Sequence, residues 1–200
     1  MPNDLVSIFE TNFNSLLGLL LRRETGVPLS PERCAAQPVT IVNKLSGKAL
    51  EVDNPSIGQA VRIHQVTRNG APNQRWFLKR AKFGIQMAIP AVIFRRVHRR
   101  WASFLRFPLP GYSLIAAHSG LCLDILNGST ENSDALQQSP LTGLSSHLWA
   151  FTSDQQGYNF IVNLCSGRVL DVVDSSPKNY AMVRQSQFSG TDSQRWQLLA

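Results

Sequence analysis

Two hundred residues with 43% hydrophobic content suffice for one domain with a real core and some chain to spare. The formal charge of +7 and the pI near 9.8 invite a nucleic-acid or membrane-surface role. However, Arg95, Arg96, Arg99, Arg100 and Arg106 fall with no acid inside residues 85–110, so the rest is near neutral and a whole-surface basic footprint is excluded.

Residues 1–38 come first. Leu5, Phe9, Phe13, Leu16 and Leu20 recur at helical spacing behind Asn3 or Asp4 as a cap, and Val27-Pro28 through Pro31 ends the helix in a linker. Asp4 and Glu10 precede the apolar run Leu16–Leu21 and Arg22-Arg23 follow it, the reverse of a secretory leader. No stretch reaches the roughly 18 apolar residues of a membrane span. Cys34, Cys122 and Cys165 are odd in number and lack metal-ligand spacing, so at least one thiol is free or pairs between chains. A reducing compartment, and hence the cytoplasm, is the expected location.

From residue 39 the chain repeats itself. The first unit alternates through Val39, Ile41 and Asn43, turns at Ser46-Gly47, continues through Leu50-Glu51-Val52 and closes at Gln74-Arg75-Trp76. The second has Ser119-Gly120, Leu123-Asp124-Ile125 and His147-Leu148-Trp149; the third has Ser166-Gly167, Leu170-Asp171-Val172 and Gln194-Arg195-Trp196. In all three the glycine stands 29 residues before the tryptophan and the acid 25 before it. Each unit carries four short strands: the alternating run, the stretch after the Ser-Gly turn, a third (Ala60–Ile63 or Ala181–Val183) and a last one at the tryptophan. The expected fold is a closed all-β body with the tryptophans and Leu50, Leu123 and Leu170 in its core.

The units occupy residues 39–84, 111–156 and 157–200. Glycine to glycine, the second and third lie 47 residues apart and the first and second 73, a surplus of 26 that falls at residues 85–110. Three readings of this insertion compete. It is a functional cationic loop with interleaved aromatics, a neutral surface insertion, or a retained intron read in frame, since the codons at Gly84 and Pro110-Gly111 can supply splice-site dinucleotides.

The pattern Ser-Gly-x-x-Leu-Asp-Val followed by Gln-x-Trp, three times over, resembles the ricin-B-type lectins. The resemblance covers about two thirds of the chain and, with no paired cysteines and no leader, looks most like fungal cytosolic members. It implies a β-trefoil of three pseudo-threefold repeats, here with an N-terminal helical extension and an insertion between repeats one and two. It also implies a non-catalytic lectin for galactose-type glycans, working through one or two of three repeat sites. Glycans or glycoproteins are then the partners, with no nucleic acid and no stable membrane insertion. A homodimer is kept as a candidate assembly, and a trefoil used for protein contacts, such as a protease inhibitor, is the alternative.

A sugar needs a carboxylate to accept from its hydroxyls, an amide that donates and accepts, and a flat side chain beneath its C–H face. Carried over from the family, the first repeat supplies Glu51, His64, Asn73 and Gln74, with Asp53 as a substitute acceptor. Glu51 replaces the family's aspartate, and His64 stands where a stacking aromatic is expected. The third repeat supplies Asp171 and Gln194, with Arg184 or Gln185 at the stacking position and Phe188 as a platform from farther along. The second keeps Asp124 but has Gln137, Ser146 and His147, and is expected to be blind.

No catalytic set emerges. His64, His98, His118 and His147 are scattered, with no pair at chelating spacing, and there is no Gly-x-Ser-x-Gly elbow or phosphate-cradling loop. No enzyme, cofactor or metal is expected.

Overall fold

The computed structural model describes residues 37–81, 110–154 and 156–200. The helix expected near the N-terminus and nearly all of the insertion lie outside these residues. Each repeat contributes four strands. The first has β1 (Val39–Asn43), β2 (Ala49–Val52), β3 (Ile63–Val66) and β4 (Arg75–Arg80). The second has β5 (Tyr112–Ala116), β6 (Cys122–Ile125), β7 (Leu136–Ser139) and β8 (Trp149–Ser153). The third has β9 (Asn159–Asn163), β10 (Val169–Val172), β11 (Ala181–Ser186) and β12 (Trp196–Leu199).

Six of these strands close a ring. β1 pairs β4, β4 pairs β5, β5 pairs β8, β8 pairs β9, β9 pairs β12 and β12 returns to β1, all antiparallel. The hairpins β2–β3, β6–β7 and β10–β11 form a triplet joined by β3–β11 pairing and by bridges at Arg62–Gln137 and Ala135–Arg184. This is the β-trefoil. Closure leaves the barrel without a free strand edge.

The core follows from the period-two pattern of each strand. Val39 and Ile41, Leu50 and Val52, Trp76 and Leu78, and their counterparts from the other repeats, fill one apolar cluster. Trp76, Trp149 and Trp196 are fully buried, and their indole N–H groups donate to the carbonyls of Leu50, Leu123 and Leu170 at 3.0, 3.1 and 3.1 Å. The fixed spacing of acid and tryptophan thus reflects one bond made three times.

The Ser-Gly turn has two jobs. Gly47, Gly120 and Gly167 take φ near +70°, which glycine adopts without steric cost. The preceding Ser46, Ser119 and Ser166 hydroxyls each donate to a glutamine on the third strand of their own repeat: Gln65, Gln138 and Gln185. These glutamines, fully buried, reach across to the neighbouring repeat. Gln65 donates to the Ser176 and Lys178 carbonyls, Gln138 to those of Ser56 and Gly58, and Gln185 to those of Ser129 and Glu131. Three identical clamps therefore tie the triplet together.

The first repeat's third strand starts at Ile63, not at Ala60 as its apolar spacing predicts. Ala60 sits at φ +60°, outside the strand region, and its N–H donates to the Gln138 carbonyl.

The insertion site is a hairpin tip. The Ala81 N–H donates to the Gly111 carbonyl at 2.8 Å, just as the Asp154 N–H donates to the Tyr158 carbonyl at 2.9 Å in the next repeat. Twenty-nine residues separate the first pair and three the second, so the 26-residue surplus falls at this turn. Beneath it Leu148, Ala150, Leu164 and Ala81 form a small apolar cluster. Gly111 packs closely on it: an added Cβ would lie 2.9 Å from Leu164 Cδ1, which would have to shift.

Candidate functional site

Strand register gives each repeat the same pair at the same place: Glu51 faces His64, Asp124 faces Gln137 and Asp171 faces Arg184. Register thus places Arg184, not Gln185, opposite the acid of the third repeat. Gln185 points the other way, into the clamp between repeats, and has no surface to offer a ligand.

In the first repeat the pieces converge. Glu51 Oε1 lies 3.2 Å from His64 Nε2, and its Oε2 accepts from the Gln74 amide at 2.5 Å. One carboxylate thus bridges both partners. His64 Nδ1 is 3.5 Å from Asp53 Oδ1, so a carboxylate flanks each ring nitrogen. His64 is only 3% exposed, whereas the Asp53 side chain is 57% exposed. Gln74 also accepts from the Asn69 N–H and donates to the Thr67 carbonyl, which anchors the loop before β4. Asn73 donates to the Val52 carbonyl at 3.1 Å and braces the same loop against β2.

The third repeat is arranged differently. Asp171 Oδ1 accepts from the Ser193 hydroxyl at 2.8 Å, and Oδ2 stands 3.9 Å from Arg184 Nη2. The shorter aspartate leaves Gln194 to its loop: the amide donates to the Gln187 carbonyl and accepts from the Ser189 and Gly190 N–H groups. Phe188 meets Phe160 edge to face at 4.9 Å, with the Arg195 guanidinium over the Phe160 ring. Its ring is thus engaged with another aromatic.

The second repeat fills its own centre. Asp124 Oδ1 accepts from the Ile125 N–H, and Oδ2 takes the Ser139 hydroxyl at 3.0 Å with His147 Nε2 at 3.4 Å. A serine, a histidine and an aspartate meet here, but not as a proton relay. Asp124 and Ser139 both face Nε2, while a relay needs them on opposite ring nitrogens. Nearby, burial pushes the Cys122 thiol up to about 11, the wrong direction for a nucleophile.

Among the described residues no group of three or more His, Cys, Asp or Glu side chains is placed to hold a metal, and no helix is long and apolar enough to cross a membrane. The features that sequence reasoning missed are the three clamp glutamines and Tyr180, whose ring lies against His64. The clamp had a signal, since Gln65, Gln138 and Gln185 each stand 11 residues before the tryptophan of their repeat.

Comparison with known proteins fits this geometry. The model of the family described as ricin-type beta-trefoil lectin domain-like matches residues 32–92, 100–186 and 145–200. A search of the curated proteins gives no match. Among solved structures, the designed threefold-symmetric protein ThreeFoil is 29% identical with a TM-score of 0.67, over 82% of this chain and 98% of that one. An exo-β-1,3-galactanase from Clostridium thermocellum is 26% identical with a TM-score of 0.67, over 82% of this chain but 30% of the enzyme. The Rhizoctonia solani agglutinin, 18% identical with a TM-score of 0.64 over 88% of this chain and 99% of that one, shares the fold.

Proposed function

The chain belongs to the ricin-type β-trefoil lectin domain-like family, and from that premise we propose that it is a non-catalytic glycan-binding protein for galactose-type sugars, working chiefly through its first repeat. One observation carries the choice of repeat. Among the described residues, only there do a buried carboxylate, a ring, an amide and an exposed second carboxylate gather around one point, as Glu51, His64, Gln74 and Asp53. The buried members hold one another in place. Glu51 and Gln74 fix the position of His64, and His64 in turn steadies Asp53 at the surface. Asn73 keeps the adjoining loop in position.

Such a site offers hydroxyls an acceptor in a prearranged direction, so little ordering entropy is lost on binding. Single trefoil sites are shallow, and affinity per site is correspondingly weak. The third repeat, with Asp171 near Arg184, is the second candidate. The second repeat is proposed to be blind, because Leu126 stands where the first repeat has Asp53 and no exposed carboxylate among the described residues lies beside its acid.

A glycan array on the folded protein tests the reading. Selective binding to terminal galactosides, lost in Asn73→Ala while the thermal melt stays cooperative, is the expected result. The acids of all three repeats are paired with internal donors, which favours one alternative, a trefoil used for protein contacts. A folded protein silent across the array would turn the reading to that alternative.

A further inference from the structure

Two departures from threefold symmetry meet at one seam. The first is Tyr180. It lies in the turn just before β11, and its N–H donates to the Gln65 carbonyl of the first repeat at 2.8 Å. Its counterparts make the same bond across the other seams: Ala60 to the Gln138 carbonyl and Ser133 to that of Gln185. All three residues are left-handed, with φ of +60°, +71° and +63° for Ala60, Ser133 and Tyr180. The fold demands this backbone, and a small residue meets the demand at two seams. A bulky aromatic is the least comfortable residue there.

Burial does not explain the tyrosine. Its side chain is left largely in solvent, the residue being 67% exposed. Its ring meets that of His64 edge to face, with centroids 5.3 Å apart and planes at 75°. That contact places the ring beside the first-repeat site. A left-handed backbone carrying an exposed aromatic is a feature that stability alone does not account for.

The second departure is Asp53, two residues beyond Glu51. The positions two beyond Asp124 and Asp171 are Leu126 and Val173, so only the first repeat has an acid there. Asp53 and Tyr180 therefore flank the same imidazole, one as an exposed acceptor and the other as an exposed flat face. His64, buried beneath them, cannot itself act as a stacking platform.

We propose that the site is built by two repeats: Tyr180 of the third supplies the platform for the apolar C–H face of a hexopyranoside, and Asp53 of the first accepts from its hydroxyls. Glu51 and His64 are positioning residues for this outer pair. The inference rests on the glycan-binding reading above and adds to it the residues that meet the sugar.

The test uses the full chain, a methyl galactoside titrated by calorimetry, and saturation transfer from tyrosine ring protons to the sugar's C–H protons. Tyr180→Gly suits the left-handed backbone, so it should melt at or above the parent temperature while losing at least about tenfold in affinity. Tyr180→Trp should keep or tighten binding, and Asp53→Asn should lose at least about tenfold. Binding by Tyr180→Gly within twofold of the parent, while Asp53→Asn abolishes it, would overturn the role of Tyr180 and leave the glycan-binding reading standing. A parent protein that binds no galactoside would overturn both.

Discussion

Deleting residues 85–110 should stabilise the protein. The deletion joins Gly84 to Gly111 and leaves three residues between Ala81 and Gly111, the number found between Asp154 and Tyr158 in the equivalent turn. Three residues close the equivalent hairpin in that second turn. The main effect is then on closure entropy, which grows with the logarithm of loop length. Shortening 29 residues to 3 gives (3/2)RT ln(29/3), or about 2 kcal/mol in favour of the folded state. For a protein of this size that corresponds to a rise in Tm of about 4–8 °C. Circular dichroism melts and urea unfolding of the parent and deleted proteins would measure it. A deleted protein that fails to fold, or melts below the parent, would refute the reasoning and mean that the segment makes contacts the trefoil needs.

The clamps make a second prediction. Gln185→Leu keeps the volume but strips the Ser129 and Glu131 carbonyls of a buried donor, and should cost about 1–3 kcal/mol in urea unfolding. Glycan affinity per folded molecule should not change, and a large loss of affinity would return Gln185 to the binding site. Trp149→Phe removes the donor to the Leu123 carbonyl and opens space in the core; a loss of about 2–4 kcal/mol is expected in the same assay. The Cys122 thiol adds a pH limb. Its pKa is raised from 9.0 to about 11 in the folded state, mainly by burial, so the unfolded chain loses the proton first. Stability should fall as pH rises from about 9 to about 11, and Cys122→Ala should flatten that slope. An unchanged slope in the variant would assign it to other groups.

Much of the trefoil was legible because its stabilising contacts recur at fixed spacing. Each tryptophan bonds the leucine beside the acid, and each Ser-Gly turn needs the same two residue types, so the pattern survives in all three copies. The start of β3 was not legible, since Ala60 reads as a strand residue until the seam forces it left-handed. The clamp glutamines escaped because a lone polar residue in a strand reads as a surface position or a ligand contact. In the site, the pairing of Glu51 with His64 follows from hairpin register. The approach of Tyr180 does not, because it crosses from the third repeat to the first over 116 residues of sequence.

The central claim is that galactose-type sugars bind at the outer face of the first repeat. The most direct measurement is an amide and side-chain NMR titration of the labelled full chain with lactose. The account predicts saturable shifts clustered at Glu51, Asp53, His64, Asn73 and Tyr180, with the second repeat unmoved around Asp124 and His147. Saturable shifts centred on another repeat, or none at any lactose concentration, would contradict it.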